Sequence, residues 1–125
     1  MKKALLLVLC LGLVGCATIS VSKVASNNKN NLLKLRVGMT EQEVLNIMGA
    51  KKIRSNIWNF YTVINNPYRS EIIQAPSERT FKALYYVTDA RQSTAWETYS
   101  VKNNDLTPLV FENGKFIGCG VEFIQ

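Results

Sequence analysis

The residues of this sequence with the most reactive side chains are its three cysteines. The sequence contains no histidine that could activate them. Without histidine there is no Ser-His or Cys-His nucleophile, and both the usual zinc ligand and the commonest general base are missing. Cys10 lies within an apolar run, Cys16 ends that run, and Cys119 lies near the C-terminus. We therefore expect no metal site and no catalytic residue.

The nine carboxylate side chains are scattered along the chain. A glycosidase needs two facing carboxylates, and no D-x-D or E-x-x-E spacing brings such a pair together. Distant carboxylates could still converge, but the chain also lacks a glycine-rich loop that would cradle a phosphate. We expect neither an enzyme nor a small-molecule substrate.

The first fifteen residues have the pattern of a leader. Lys2 and Lys3 are followed by twelve uncharged residues, Ala4 to Gly15. A membrane-spanning helix needs roughly 20 apolar residues, whereas a secretory signal has an apolar core of roughly 7–15 residues. Residues 1–15 are therefore predicted to be a signal peptide that is removed.

The residues Leu13-Val14-Gly15-Cys16 resemble the lipobox of bacterial lipoproteins. This resemblance implies a diacylglyceryl group on the Cys16 thiol, cleavage before Cys16 and acylation of the new amine. Several acyl chains on one residue suffice for stable membrane anchoring. The alternative is an ordinary secreted protein with a chance cysteine. Ala17, where an Asp would resemble an inner-membrane retention signal, favours the outer membrane. We expect the domain to face the periplasm.

Removal of the leader changes both charge and cysteine content. The formal net charge of +6 falls to +4 when Lys2 and Lys3 are lost. That excess is too diffuse to indicate nucleic acid, although it could favour anionic lipid headgroups. With Cys10 removed and Cys16 acylated, Cys119 has no disulfide partner. We predict that it lies on an apolar strand face with Ile117, Val121 and Phe123, where a buried free cysteine behaves as a small hydrophobe.

Three segments follow the leader. Residues 16–31 are rich in Ser and Asn and free of aromatics, so we predict a lipidated N-terminus and a flexible tether. Residues 32–125 form the predicted domain. Its clearest element is a helix over 41–48, because Thr40 and Glu43 have the spacing of a capping box and Gly49 suits the helix end.

Strand patterns occupy the rest of the domain. Residues 57–64 and 80–88 alternate and are rich in aromatic and β-branched side chains, and residues 72–75 are a candidate short strand. Asn113-Gly114 predicts a hairpin in which Glu112 pairs with Lys115, Phe111 with Phe116 and Val110 with Ile117. The polar stretch 89–107 is long for a connection.

Two groups of residues are candidates for binding. Each group also has a plain structural interpretation, as a solvated charge run for the first and as a turn with an Arg–Glu pair for the second. Lysine and arginine residues after the helix are candidate lipid-headgroup contacts: Lys51, Lys52 and Arg54. A polar turn that interrupts the strands is a candidate partner-binding site: Asn66, Pro67, Tyr68, Arg69 and Glu71.

The segment LRVGMTEQEVLNIMG, which follows a lipobox and precedes aromatic strands, resembles the BamE (SmpA/OmlA) family of small outer-membrane lipoproteins. The matching residues are Gly38-Met39-Thr40, Glu43-Val44 and Met48-Gly49. The element order and this resemblance imply an α+β fold, with short N-terminal helices packed on an antiparallel sheet of three to four strands. Ala50-Lys51 departs from the x-Pro that commonly follows the glycine in that family, and no partner-binding residue is carried over.

The resemblance also implies a function, since the type member assists the machinery that inserts β-barrels. We expect a non-catalytic adaptor in envelope or outer-membrane protein assembly or maintenance, with an envelope protein as its partner. The alternative is a protein-binding or inhibitor module that uses an exposed sheet face, because the same arrangement resembles the repeat of β-lactamase inhibitor proteins.

Overall fold

The computed structural model describes residues 20–57, 60–90 and 100–124. The predicted α+β fold class is confirmed, with two helices packed on antiparallel sheets. The leader and Cys16 lie outside the described residues. The elements are α1 (Val21–Leu32), α2 (Glu41–Met48), β1 (Lys51–Ile57), β2 (Phe60–Asn66), β3 (Arg69–Gln74), β4 (Thr80–Val87), β5 (Leu106–Glu112) and β6 (Lys115–Cys119).

The strands form two antiparallel sheets. β1 and β2 make a two-stranded hairpin, and the other four make a sheet in the order β3-β4-β5-β6. One core cluster lies between α2 and the larger sheet, with Val44 and Met48 packed against Leu84 and Phe111. A second cluster joins α1 to the end of β4 and to Ile64 of β2.

The predicted helix over 41–48 is confirmed together with its capping box. The Glu43 amide donates a 3.2 Å hydrogen bond to Thr40 Oγ1, and the Thr40 amide donates a 2.7 Å bond to Glu43 Oε2. Gly49 ends the helix with a φ of 91°, a conformation that favours glycine. These local bonds fix where α2 begins and ends.

The prediction of a flexible tether is wrong for residues 21–31, because they belong to α1. Ser20 caps this helix by accepting a hydrogen bond from the Lys23 amide. Val21, Val24 and Ala25 are buried on one side of the helix. The mean polarity of the segment is high, but these apolar residues recur at helical spacing. Packing of these three apolar side chains stabilises α1, although serine and asparagine have a low intrinsic preference for helices.

Residues 57–64 were predicted as one strand, but the chain reverses within them. β1 runs back to Lys51, and its last residue, Ile57, pairs with Phe60 of β2. Residues 58 and 59 lie outside the described residues. When the residues before and after a turn both favour strands, the alternation of side chains continues through the turn and does not show that the chain changes direction.

The Asn113-Gly114 hairpin is confirmed near its turn and departs from the prediction further on. Glu112 pairs with Lys115 and Phe111 with Phe116, but an irregularity then places Val110 opposite Gly118 rather than Ile117. Such a bulge shifts every later side chain relative to the sheet.

The shifted register changes the surroundings of the C-terminal apolar residues. Val121 and Phe123 are 55% and 40% exposed and lie in a short 3₁₀ turn, so the prediction that they share an apolar strand face is wrong. Cys119 pairs with Leu109 and packs, half-buried, against the α2 core cluster. Burial and the nearby Glu122 raise the pKa of its thiol. A structural role for Cys119 therefore fits its position better than a reactive one.

Candidate partner-binding surface

β3 forms an accessible edge of the four-stranded sheet. On the opposite edge, the segment before α2 covers part of β6. There the Gly38 amide donates to the Phe116 carbonyl, and the Phe116 amide donates to the Met39 carbonyl, each at 2.8 Å. Among the described residues no strand pairs with the outer side of β3, and most of its side chains are exposed. An edge of this kind can accept an added strand from a partner.

Arg69 and Glu71 of β3 are held together above Tyr85 of β4. The Arg69 guanidinium lies 4.3 Å from the centre of the Tyr85 ring, and its Nε is 3.4 Å from Glu71 Oε1. The Tyr85 hydroxyl donates a 3.0 Å hydrogen bond to Glu71 Oε2. Burial, and then the Glu71 carboxylate, raise the pKa of Tyr85. The group displays a cation and an anion at the edge of the sheet. Surface ion pairs contribute little to stability, and charged groups at interfaces contribute mainly to specificity.

Ile72 adds an apolar contact to this edge. It is 68% exposed and lies opposite Lys82 in the register. Beside it is a depression of about 240 Å³, lined among others by Phe111 and by the ion pair between Lys82 Nζ and Glu41 Oε1, which are 2.6 Å apart. Ile72 and this depression lie on the opposite face of β3 from Arg69 and Glu71, because successive residues of a strand point to opposite faces. We use the name β3 surface for Arg69, Glu71, Ile72 and this depression, which together border the edge.

The five residues of the predicted turn site differ in how much they are exposed. Asn66 is buried, and its side chain is hydrogen-bonded to Asn28 and to the Met48 carbonyl. Pro67 and Tyr68 are half-buried, and Tyr68 packs against the second core cluster. Arg69 and Glu71 are exposed. Of the five predicted residues, Arg69 and Glu71 are therefore the best placed for a partner, and they belong to a strand rather than to a turn.

The central strands are poorly suited to partner binding. Residues 83–87 of β4 are buried one after another, so both faces of that strand are covered. An inhibitor that used an open sheet face would need these side chains to be accessible. The accessible part of the sheet is its β3 edge.

The predicted headgroup residues are only partly described. Lys51 and Lys52 are exposed at the beginning of β1, opposite Asn66 and Asn65. The backbone of Arg54 belongs to β1, and its side chain lies outside the described residues.

A second charged surface was missed by the sequence analysis. Four exposed cations lie on α1 and the connection to α2: Lys23, Lys29, Lys34 and Arg36. No Asp or Glu occurs between residues 17 and 40. The charge run was visible in the sequence, but the tether prediction hid the fact that a folded helix presents it. We call these four residues the α1 basic surface.

The described residues give no sign of a metal centre or a membrane span. Within residues 20–57, 60–90 and 100–124, no three His, Cys, Asp or Glu side chains are placed to hold a metal ion. None of the helices in this part of the chain is long and apolar enough to cross a membrane.

Comparison with known proteins gives one match. A family model described as a protein of unknown function, DUF3192, matches residues 17–125. The chain belongs to the DUF3192 family. No curated protein and no solved structure matches the chain. The DUF3192 match includes all the described helices and strands, α1 among them.

Proposed function

We propose that the protein is a lipoprotein, anchored in the outer membrane and facing the periplasm, that acts as a non-catalytic adaptor in envelope or outer-membrane protein assembly or maintenance. The observation that carries the proposal is the lipobox-like Leu13-Val14-Gly15-Cys16 at the end of a short uncharged run. The DUF3192 match begins directly after Cys16, which supports a leader that is separate from the domain. Ala17 supports the outer membrane.

The adaptor role is supported by the β3 surface. An accessible strand edge offers backbone groups to a partner strand, and Arg69, Glu71 and Ile72 supply charge and apolar area for selectivity. Together with the absence of histidine from the sequence, this favours protein binding over catalysis. The proposed ligands are an envelope protein at β3 and the membrane through the lipid on Cys16, with no cofactor, nucleic acid or small-molecule substrate.

Mass spectrometry of protein extracted from membranes tests the anchor. We expect the mature chain to begin at Cys16 and to carry acyl groups there. Cys16→Ser is expected to abolish acylation and to leave the leader attached, whereas Cys119→Ser is the matched control and should be processed normally. An unmodified Cys16 in the wild-type protein would refute the lipoprotein proposal.

Crosslinking in intact cells followed by purification tests the adaptor role. We expect an envelope protein to be captured by the wild-type chain and its yield to fall several-fold with Ile72→Arg. Val63→Arg is the matched control, because Val63 is also an exposed β-branched strand residue, 55% exposed, but belongs to the other sheet. Equal yields of the crosslinked partner for the two variants would show that the partner does not bind at β3. If the dominant crosslinked partner is a single soluble enzyme, the result would favour the inhibitor alternative over the adaptor.

A further inference from the structure

We infer that the α1 basic surface binds the anionic headgroups of a phospholipid bilayer, with α1 lying along the membrane. This inference rests on the proposed anchor at Cys16 for its geometry. It goes further by naming the part of the domain that faces the membrane and the lipid chemistry that it recognises.

The orientation of α1 exposes its cations. Val21, Val24, Ala25 and Asn28 are buried on one side of the helix. At 3.6 residues per turn, Lys23 projects from the side opposite these residues and Lys29 from the flank, about 90° from their centre, and both are exposed. Both cations therefore lie outside the buried side of α1, and neither is covered by the domain.

The only use that the described fold makes of the charges of Lys23 and Lys29 is at the last turn of α1, where the helix dipole favours Lys29. The three ion pairs found among the described residues are made by Arg69, Arg79 and Lys82, so Lys23 and Lys29 take part in none of them. Lys23 also lies in the first turn of α1, which contains no acidic residue. A cation there is unfavourable because the helix dipole places positive charge at this end. An external anionic surface would compensate for this local cost.

The covalent anchor would hold this helix close to lipid. Only three residues, Ala17, Thr18 and Ile19, separate Cys16 from Ser20. A fully extended chain spans at most about 3.5 Å per residue, so Ser20 lies within about 14 Å of the anchored residue. A flexible tether over 16–31 would have allowed the domain to move far from the bilayer, but the folding of residues 21–32 into α1 removes that freedom.

The far end of α1 adds apolar side chains that fit a membrane interface. Leu33 and Val37 are 85% and 74% exposed, in the same connection as Lys34 and Arg36. Twelve residues of α1 span about 18 Å. When the helix lies parallel to the membrane, both its first turn and the connection that follows it therefore reach the headgroups. Exposed apolar residues among basic ones are typical of segments that bind the interface of an anionic bilayer.

Lysine protection on vesicles tests this inference. The lipoprotein purified from membranes is reconstituted on phosphatidylcholine vesicles with or without phosphatidylglycerol, and amine labelling is followed by peptide mass spectrometry. We expect Lys23 and Lys29 to be labelled several-fold more slowly on the anionic vesicles. The difference should disappear at about 1 M salt, where charges are screened beyond about 3 Å. Lys102, which is exposed elsewhere, is an internal control.

Matched charge reversals separate the two basic groups. Lys23→Glu with Lys29→Glu is expected to abolish the protection of Lys34, whereas Lys51→Glu with Lys52→Glu should preserve it. Both pairs are exposed and change the charge equally, and circular dichroism checks the fold. Equal labelling on the two vesicle types, or loss of protection only with the Lys51/Lys52 variant, would overturn the inference.

The same experiment distinguishes failure of the anchor from failure of the docking. Flotation of the protein with pure phosphatidylcholine vesicles reports the anchor, because these carry no net charge. A protein that floats only with anionic vesicles and still protects Lys23 and Lys29 would support docking while refuting the lipoprotein proposal. A protein that floats with both without protecting these lysines would refute docking alone.

Discussion

Asn28 of α1 donates a 2.8 Å hydrogen bond to the side-chain oxygen of Asn66, 38 residues further along the chain. The same Asn28 amide group donates to the Val87 carbonyl at 2.9 Å, and the Asn66 amide group donates to the Met48 carbonyl at 3.1 Å. Both asparagines are buried, at 2% and 7% exposure. Buried polar groups are tolerated when they are bonded, and this pair links α1, the end of α2, β2 and β4.

Replacing Asn28 by alanine should lower the free energy of unfolding by about 1–3 kcal/mol, because it leaves the buried oxygen of Asn66 without this donor. Urea denaturation measures the effect. Asn30→Ala is the matched control, since Asn30 is exposed on the same helix and alanine is favoured in helices. Equal free energies of unfolding for the two variants would show that the bond does not contribute.

Replacing Thr40 by alanine should lower the free energy of unfolding by about 1 kcal/mol, because Thr40 Oγ1 accepts the Glu43 amide at the beginning of α2. Thermal unfolding measures this change. Ser26→Ala, at an exposed position within α1, removes a hydroxyl without removing a cap and should have little effect. A Thr40→Ala protein as stable as the wild type would contradict the capping role.

The Arg79–Glu112 pair should give the domain a pH-dependent contribution to stability. Arg79 donates hydrogen bonds of 2.7 and 2.6 Å to the Glu112 carboxylate, and these bonds lower the pKa of Glu112 from its ordinary value of 4.5. Because the folded pKa is the lower one, the contribution is present above the ordinary value and is lost as the pH falls through the lowered value.

Thermal melts at neutral pH and well below pH 4.5 test this pair. Arg79→Ala should destabilise the protein more at neutral pH than in acid, while the packing of Arg79 on the Phe81 ring, 5.1 Å away, is lost at both. Glu112→Gln is the control, because it removes the titrating group. In a protein that carries Glu112→Gln, the destabilisation caused by Arg79→Ala should differ less between the two pH values. A destabilisation by Arg79→Ala that is the same at both pH values would rule out this source of pH dependence.

Cys119 should react slowly in the folded protein. Burial and Glu122 raise the pKa of its thiol, so less of the reactive thiolate is present at neutral pH. Iodoacetamide labelling of the Cys119 peptide should therefore be slower in buffer than in urea. Labelling as fast in buffer as in urea would show that the packing of Cys119 does not protect it.

Local chemistry in the sequence was sufficient to predict several elements. The capping box at Thr40 and Glu43, the glycine that ends α2 and the Asn113-Gly114 turn each depend on residues within a few positions of one another. Their hydrogen bonds join residues that are close in the sequence, so a short stretch of sequence is enough to predict them. The α+β class followed from the order of these elements and the strand patterns together with the resemblance to the BamE family.

The errors concern features that depend on distant residues. The Ser- and Asn-rich segment before residue 32 folds as α1 because Val21 and Ala25 pack with Ile64 of β2 and Val87 of β4, and Val24 is buried as well. The role of Asn66 was missed because its partner, Asn28, is remote in sequence. The register changes between Phe111 and Val110, on the side of the Phe111–Phe116 pair away from the turn, because a bulge that no turn motif signals changes which residues face each other.

The sequence by itself was sufficient to predict the helix cap and the hairpin turn, and it shows directly that histidine is absent. Its leader-like N-terminus stays a prediction. The tertiary structure alone decided that α1 is folded, that Asn66 is internal while Arg69 and Glu71 are displayed, and that the edge of β3 rather than the face of the sheet is accessible. The physical reason is that hydrogen bonds between neighbouring residues can be inferred from composition and spacing. Burial is a property of surfaces that meet only when the whole chain has folded.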